Sequence, residues 1–396
     1  MEDLKELLKQ HIDEDLLIKL TKDLVSIETH PLIPGQETAA CVYIKEFFDK
    51  EGIPCYVKEV KDGRSNVVAT LDSGKPGRTL IFNGHTDTVK ADGMVDAFNP
   101  WIEDGKLYGR GTSDMKGPLA SIMVAMKALK DTGALKEGKV IFTGVADEEQ
   151  NSIGTIDIIE DGIKGDAVIV CEPTELKVNN GNRGLEWFRF HFIGKTVHGG
   201  EQAKGINAIK KAVDFINAME EKLIPDVFAR GGTVNYGVIH GGTQLSTVAG
   251  ECELLVDRRY TSDETYESMY KEFTDLLDEL SAKDPKFKCE MEVLDVSVMK
   301  EGYVHEPAYT PLDSDIVKIT KKYSVDAIGE DYDVVFIKAW TDAGLISTYQ
   351  KTPVIICGPG LMECCHALHE YVPVDHLPKA SLMYAMTAVE FCEIKE

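Results

Sequence analysis

Several side chains able to bind metal or carry protons stand just beyond apolar runs of the chain. His85 and Asp87 follow Arg78-Thr79-Leu80-Ile81-Phe82, Asp147-Glu148-Glu149 follow Lys139 to Ala146, and Glu172 follows Ala167 to Cys171. An imidazole two residues before a carboxylate suits a metal ligand and its orienting partner, because the ring nitrogen that does not bind metal needs an acceptor. Alone, such a pair is more often a loop histidine beside a solvated acid, and a run of three acids is usually a solvated turn. Asp114 closes Gly109-Arg110-Gly111-Thr112-Ser113-Asp114 and precedes an apolar helix over about Pro118 to Leu129. There it can cap the helix or ligate a metal. It also occupies the place where a dinucleotide-binding Gly-x-Gly-x-x-Gly would need its third glycine, which removes that reading.

These positions need a scaffold that brings strand ends together. The apolar runs read as buried strands, and helical spacing over Asp15 to Val25, Glu37 to Glu51, Asp315 to Lys322 and from Leu377 onward alternates with them. The pattern predicts an α/β fold, a mixed α/β/α catalytic domain formed by 1–182 and 297–396. Between these parts the character changes. Gly184 to Ile193 alternates polar and apolar with period two, and Gly205 to Leu223 is amphipathic, with Ile206, Ile209, Val213, Ile216 and Met219 on the side expected to be buried. Strands at 233–240 and 251–257, a helix at 263–280 and a strand at 286–294 complete the order of a ferredoxin-like sandwich. Residues 183–296 are therefore expected as an inserted α+β domain.

The chain has 396 residues and a formal net charge of -24. That charge argues against nucleic acid and anionic membranes as partners. No apolar run is long enough to span a bilayer, and the acidic start Met1-Glu2-Asp3-Leu4-Lys5-Glu6 lacks the features of a secretion signal, so a cytoplasmic protein is expected. Nine scattered cysteines fit reduced thiols better than a disulfide framework, and Cys364-Cys365 receive no role.

Five segments carry a resemblance. Gly84-His85-Thr86-Asp87-Thr88-Val89, Gly109 to Gly117, Asp147-Glu148-Glu149, Cys171-Glu172-Pro173-Thr174 and His366-Ala367-Leu368-His369-Glu370-Tyr371-Val372 together resemble the M20 family of metallopeptidases and deacylases. They occur in order and over nearly the whole chain. That family includes acetylornithine deacetylase, succinyl-diaminopimelate desuccinylase, aminoacylase and the glutamate-releasing carboxypeptidase.

The resemblance implies two divalent metal ions, one on His85, Asp114 and Glu172 and the other on Asp114, Glu149 and His366, with Asp114 bridging. His366 is chosen over His369 by the family's spacing of histidine four residues before glutamate. Imidazole and carboxylate without thiolate suit Zn²⁺, and also Co²⁺ or Mn²⁺. Glu148 is implied as the general base and Asp87 as the partner that orients His85. His198, in Gly194-Lys195-Thr196-Val197-His198-Gly199-Gly200, matches a histidine that stabilises an oxyanion in the partner subunit, which implies a homodimer and makes the insert a dimerisation (lid) domain. Arg259 is implied for the substrate carboxylate, and Thr341 and Asp342 for the acyl pocket. Ser246 and Ala249 depart from the family's usual Asn and Pro, so the substrate-facing loop differs. The implied reaction is hydrolysis of an amide bond beside an amino-acid carboxylate. An N-acyl-amino-acid deacylase resembling acetylornithine deacetylase or succinyl-diaminopimelate desuccinylase leads. A dipeptidase or carboxypeptidase is the alternative, and a non-catalytic binding protein on the same fold the third reading.

Overall fold

The runs that read as continuous apolar segments become central strands, because helices cover both of their faces. In the computed structural model, which describes Met1–Ile394, the chain separates into two units, Met1–Asn182 with the segment from Ala308 onward, and Arg183–Pro307. Residues 395–396, the last two of the expected 297–396 segment, lie outside the described residues.

The first unit begins with helices α1 (Glu2–Gln10), α2 (Glu14–Ser26) and α3 (Thr38–Lys50) and strands β1 (Cys55–Lys61), β2 (Arg64–Asp72) and β3 (Thr79–His85). A hairpin of β4 (Trp101–Glu103) and β5 (Lys106–Tyr108) follows, then α4 (Lys116–Thr132), β6 (Lys139–Val145), α5 (Ile153–Glu160), β7 (Ala167–Val170) and β8 (Asn179–Asn182). The second unit holds β9 (Gly184–Ile193), α6 (Ala208–Lys222), α7 (Ile224–Ala229), β10 (Thr233–Gly241), β11 (Glu251–Tyr260), α8 (Tyr266–Lys283) and β12 (Cys289–Val293). The chain then returns to the first unit through β13 (Ala308–Tyr309), α9 (Asp315–Ile328), β14 (Val335–Ile337), α10 (Ala343–Leu345), β15 (Val354–Ile356), β16 (Tyr371–Pro373) and α11 (His376–Cys392).

In the first unit the large sheet runs β1-β2-β6-β3-β7-β15-β8-β13, with β14 beside β8. Strands β6, β3, β7 and β15 are mutually parallel, so their C-terminal ends open on one side of the sheet. In an open α/β sheet, that side is where ligands bind. One face packs on α2, α3, α4, α9 and α11 through residues such as Leu24, Phe48, Leu119, Ile319 and Tyr384. Each such side chain contributes roughly 1.5 to 3 kcal/mol on full burial. Tyr384 packs at a tilt against Phe82, with ring centroids 5.1 Å apart, and its hydroxyl donates to the Cys357 carbonyl at 2.9 Å, so no polar group is stranded there. The opposite face carries Ile81, Val168, Val170, Ile346 and Ile356. Among the described residues no helix is long and apolar enough to cross a membrane.

The second unit is a four-stranded antiparallel sheet in the order β10-β11-β9-β12. Alternation along β9 turns Phe188, Phe190 and Phe192 onto Phe215 of α6 and Phe273 of α8, as a half-buried strand requires. Two expectations need correction. The buried side of α6 is Ala208, Ala212, Phe215 and Met219, whereas Ile209 and Val213 are 39% and 45% exposed. The small alanines let the helix approach the sheet and Phe215 fills the gap, which outweighs the pull of two larger aliphatic residues. The unit also extends beyond the expected boundary at 296, as far as Pro307. Segment 297–307 is tied back by Ser297 Oγ donating to Glu186 at 2.9 Å, by Leu185 N donating to the His305 carbonyl at 3.0 Å, and by the Tyr260 hydroxyl donating to that carbonyl at 2.9 Å.

Candidate metal centre

Four parallel strands deliver the candidate ligands. His85 ends β3, Glu148 and Glu149 follow β6, Glu172 lies just past β7, and the loop after β15 carries His366. Asp114 lies just ahead of α4, and its two oxygens face different histidines. Oδ1 is 2.9 Å from His85 Nε2 and Oδ2 is 3.3 Å from His366 Nε2. His85 Nε2 lies 3.8 Å from Glu172, and His366 Nε2 lies 2.9 Å from Glu149. One carboxylate between two imidazoles, each with a further carboxylate beside it, is a donor set for two ions sharing a bridge. Two overlapping groups of ligand atoms lie close enough to hold an ion, His85 with Glu148 and Glu172, or His85 with Asp114 and Glu149.

Supporting residues fix this arrangement. His85 Nδ1 faces Asp87, 3.1 Å from its carbonyl and 3.5 Å from Oδ1, leaving Nε2 toward the cluster. The same Asp87 carboxylate accepts the backbone amides of Glu148 and Glu149 at 3.2 and 3.1 Å. A single buried acid thus holds one candidate ligand ring and the turn that carries two further acids. The Asp114 loop has its own anchor. Glu370 Oε1 accepts the amides of Gly111, Ser113 and Asp114, each at 3.0 Å, while Oε2 takes a 2.5 Å bond from Arg110 Nη1. Gly117 is required next to this loop, because a Cβ there would come within 2.3 Å of the Thr112 carbonyl oxygen.

The electrostatics show a site with surplus negative charge. Burial pushes the Glu148 carboxyl well above the ordinary carboxylate range, reinforced by Glu172. Burial likewise lifts Glu172 to about 8, with Asp114 and Glu149 adding to the rise, and raises Glu149. Burial opposes charge on His85, yet hydrogen bonds to Asp114 and Asp87 hold its imidazole well above the usual value. Asp114 and then Glu149 lift His366 to about 10. Among the described residues no lysine or arginine pairs with Asp114, Glu148, Glu149 or Glu172. Burying that many carboxylates without cations is costly, so the donor set fits divalent metal ions.

The other expected site residues lie as follows. Thr341 and Asp342 are buried in the first unit. Thr341 Oγ1 accepts the Ala343 amide at 3.3 Å, and Asp342 Oδ2 takes the Thr155 hydroxyl at 2.6 Å. Burial raises Asp342 to about 6, and its charge acts on Glu148 and Glu172. His198, Ser246 and Arg259 belong to the second unit. Exposed His198 accepts the Gly200 amide on Nδ1 at 3.1 Å and pairs with Thr247, next to Ser246, whose carbonyl takes the Gly199 amide at 2.7 Å. The Arg259 guanidinium already grips Asp257 through Nε and Nη2 at 2.8 and 3.0 Å. All nine cysteines are free, with Cys364 buried and Cys365 partly so. Glu370, Arg110 and Glu37 are buried supports, and Arg64 a half-buried one, that received no role from the sequence. Glu370 alone had a signal there, its place four residues after His366.

Comparison with known proteins adds to this geometry. Residues 81–390 match the model of a family described as Peptidase family M20/M25/M40. The chain is 27% identical over 417 residues to an N-formyl-4-amino-5-aminomethyl-2-methylpyrimidine deformylase of Halalkalibacterium halodurans, covering 98% of this chain and 97% of that protein. It is 25% identical over 417 residues to a probable succinyl-diaminopimelate desuccinylase of Staphylococcus aureus, covering 96% and 98%. Among solved structures, aminopeptidase PepT from Bacillus cereus aligns with a TM-score of 0.81 at 21% identity, over 96% of this chain and 99% of that one, a likeness of fold.

Proposed function

Because the chain belongs to peptidase family M20/M25/M40 and is thereby a hydrolase of amide bonds, we propose that it is a two-metal N-acyl-amino-acid deacylase. The observation that carries this reading is Asp114 presenting one oxygen to His85 and the other to His366. His85, Asp114 and Glu172 would hold one ion and Asp114, Glu149 and His366 the other. Zn²⁺ suits these ligands, as do Co²⁺ and Mn²⁺. A bound pair would supply a Lewis acid for the scissile carbonyl and acidify the attacking water.

Glu148 is the group that moves the proton. Its ligand-capable oxygen shares a cluster with those of His85 and Glu172, and the two ligand sets proposed above do not draw on it. Its raised carboxyl suits a base that takes a proton from water and returns it to the leaving amine nitrogen. Asp87 holds the Glu148 amide, and so the direction of that carboxylate, throughout.

Both sequence relatives are named for removing an acyl group from an amine, which supports a deacylase over an exopeptidase. The exopeptidase reading draws on the fold shared with PepT. Small amide substrates fit either, with Arg259, Ser246, Thr341 and Asp342 as the proposed substrate-side residues. We also read the protein as a homodimer. Exposed Ile209, Val213, Val238 and Ile239 lie on α6 and on β10, an edge strand of the second unit, and such an edge invites a partner. His198 fits a role in trans. Its Nδ1 is an acceptor, so the neutral ring carries its proton on Nε2, a donor suited to a developing oxyanion. Free thiols throughout fit a reducing compartment, the cytoplasm.

The test is a panel of N-acetyl, N-formyl and N-succinyl amino acids with di- and tripeptides, assayed with metal-loaded protein and its Glu148→Gln variant. Turnover of N-acyl amino acids that Glu148→Gln abolishes supports the proposal. Cleavage of peptides alone selects the exopeptidase, and no turnover across the panel the non-catalytic reading.

A further inference from the structure

The turn that carries Glu148 and Glu149 is fixed from behind by three charged residues on separate elements. Glu37 stands at the start of α3, Arg64 opens β2, and Asp147 directly precedes Glu148. The Arg64 guanidinium reaches both acids. Nε donates to Glu37 Oε2 at 3.0 Å, Nη2 donates to Glu37 Oε1, and Nη1 donates to Asp147 Oδ1 at 2.7 Å. Glu37 Oε1 also accepts the Asp147 amide at 3.2 Å. The Asp147 carbonyl takes the amides of Asn151 and Ser152 at 3.1 and 2.6 Å. Every polar group of Asp147 is therefore committed, and the residue is held at φ 71°, in the left-handed region that few non-glycine residues occupy.

From this geometry we propose that Arg64, gripped by Glu37, is a positioning residue for the reaction, locking Asp147 so that the next peptide unit delivers Glu148 to the cluster. The inference rests on Glu148 acting as the base. Its logic is that of a clamp with two jaws. Arg64 and Glu37 hold Asp147, and Asp87 holds the Glu148 and Glu149 amides. A fork of donors is needed because one guanidinium must serve two carboxylates lying in different directions, which a lysine ammonium cannot reproduce. Without Arg64, the Glu37 and Asp147 carboxylates face each other unneutralised. Asp147 then leaves its strained conformation, and Glu148 loses its aim while the ligand side chains on β3 and ahead of α4 keep theirs.

The test compares Arg64→Ala, Arg64→Lys and Asp147→Asn with the parent enzyme in the metal-loaded full chain. For Arg64→Ala the expected result is a loss of kcat on the order of 10²-fold with KM nearly unchanged, as for a misplaced catalytic group. Metal content stays at the parent level, because Glu149 keeps its contact with His366, and hydrogen exchange quickens at the Asp147 and Glu148 amides. Arg64→Lys recovers only part of the rate, and added alkylguanidine restores turnover to Arg64→Ala. If Arg64→Ala fails to fold, Asp147→Asn, which tolerates the left-handed conformation and loses the ion pair, must show the same kcat loss and faster exchange. A folded, metal-loaded Arg64→Ala with kcat within about twofold of the parent and unaltered exchange would overturn the proposal. So would loss of metal in parallel with activity, which would make the trio a scaffold of the metal centre. Glu148→Gln serves as the control. Near-parental turnover in that variant refutes the base assignment itself, while the exchange data still report on the clamp.

Discussion

Glu370 Oε1 accepts the backbone amide of Asp114 at 3.0 Å, and through it the loop that carries the candidate bridging ligand is tied to the loop that carries His366. The same oxygen holds the amides of Gly111 and Ser113, and Arg110 neutralises the carboxylate. Three amide donors need an acceptor with no proton of its own. Glu370→Gln places an NH2 group against either those amides or Arg110, so the Asp114 loop relaxes. Residues supporting a ligand in this way are worth about 10- to 100-fold in metal affinity. Metal content measured after dialysis against graded chelator should fall by that factor. Unchanged retention would show that the loop is held by other contacts.

Asp87 has two tasks, facing His85 Nδ1 and accepting two amides of the turn after β6. Asp87→Asn keeps one carbonyl oxygen and replaces the other with a donor, which cannot accept a second amide. Both metal affinity and kcat should fall, affinity again by about 10- to 100-fold. Calorimetric metal titration alongside steady-state kinetics checks this. A loss confined to kcat would show that Asp87 serves the turn and not His85.

Metal binding should tighten as pH rises through neutrality. His366 is raised to about 10 and Glu172 to about 8 in the metal-free protein, so both retain protons that an ion must displace. The sign for folding is the opposite. Both values lie above those of the unfolded chain, so their contribution to stability is complete below the unfolded values and is lost as pH rises through the folded ones. The metal-free protein should therefore lose stability toward alkaline pH, and added Zn²⁺ should restore it. Thermal melts with and without metal across that range, with proton release followed in weakly buffered solution, measure both effects. Metal affinity that does not change with pH would contradict this charge distribution.

His198 acting in trans predicts complementation. Inactive His198→Ala and inactive Glu148→Gln chains, mixed and re-associated, should regain part of the parental rate, because one of the two sites in a mixed dimer then has both residues intact. No recovery in verified mixed dimers would confine His198 to a structural role.

Strand ends and the candidate ligands that follow them were legible in the sequence because both depend on local pattern. A parallel strand covered on both faces must be a continuous apolar run, and the chemistry must follow it, as in Phe82 to His85 and Val170 to Glu172. The faces of helix α6 were not legible, since spacing cannot tell an aliphatic stripe that meets the sheet from one left exposed. Ile209 and Val213 form the second kind. The clamps were hidden for another reason. Arg64 and Asp147 are 83 positions apart and Gly111 and Glu370 are 259 apart, so only the folded chain brings them together. Single charged residues give no sign of burial in the sequence, so nothing there set Glu37 or Arg110, both buried, apart from surface charges.

In the proposed mechanism Asp114 bridges two ions in a working hydrolase. The most direct test is to strip the protein with chelator and titrate Zn²⁺ back, following bound metal by mass spectrometry and amide hydrolysis in the same samples. The metal-free protein should be inactive, and activity should return as binding saturates at two ions per chain, with Asp114→Asn losing both. Full turnover in the metal-free protein, or saturation at one ion with complete activity, would contradict that mechanism.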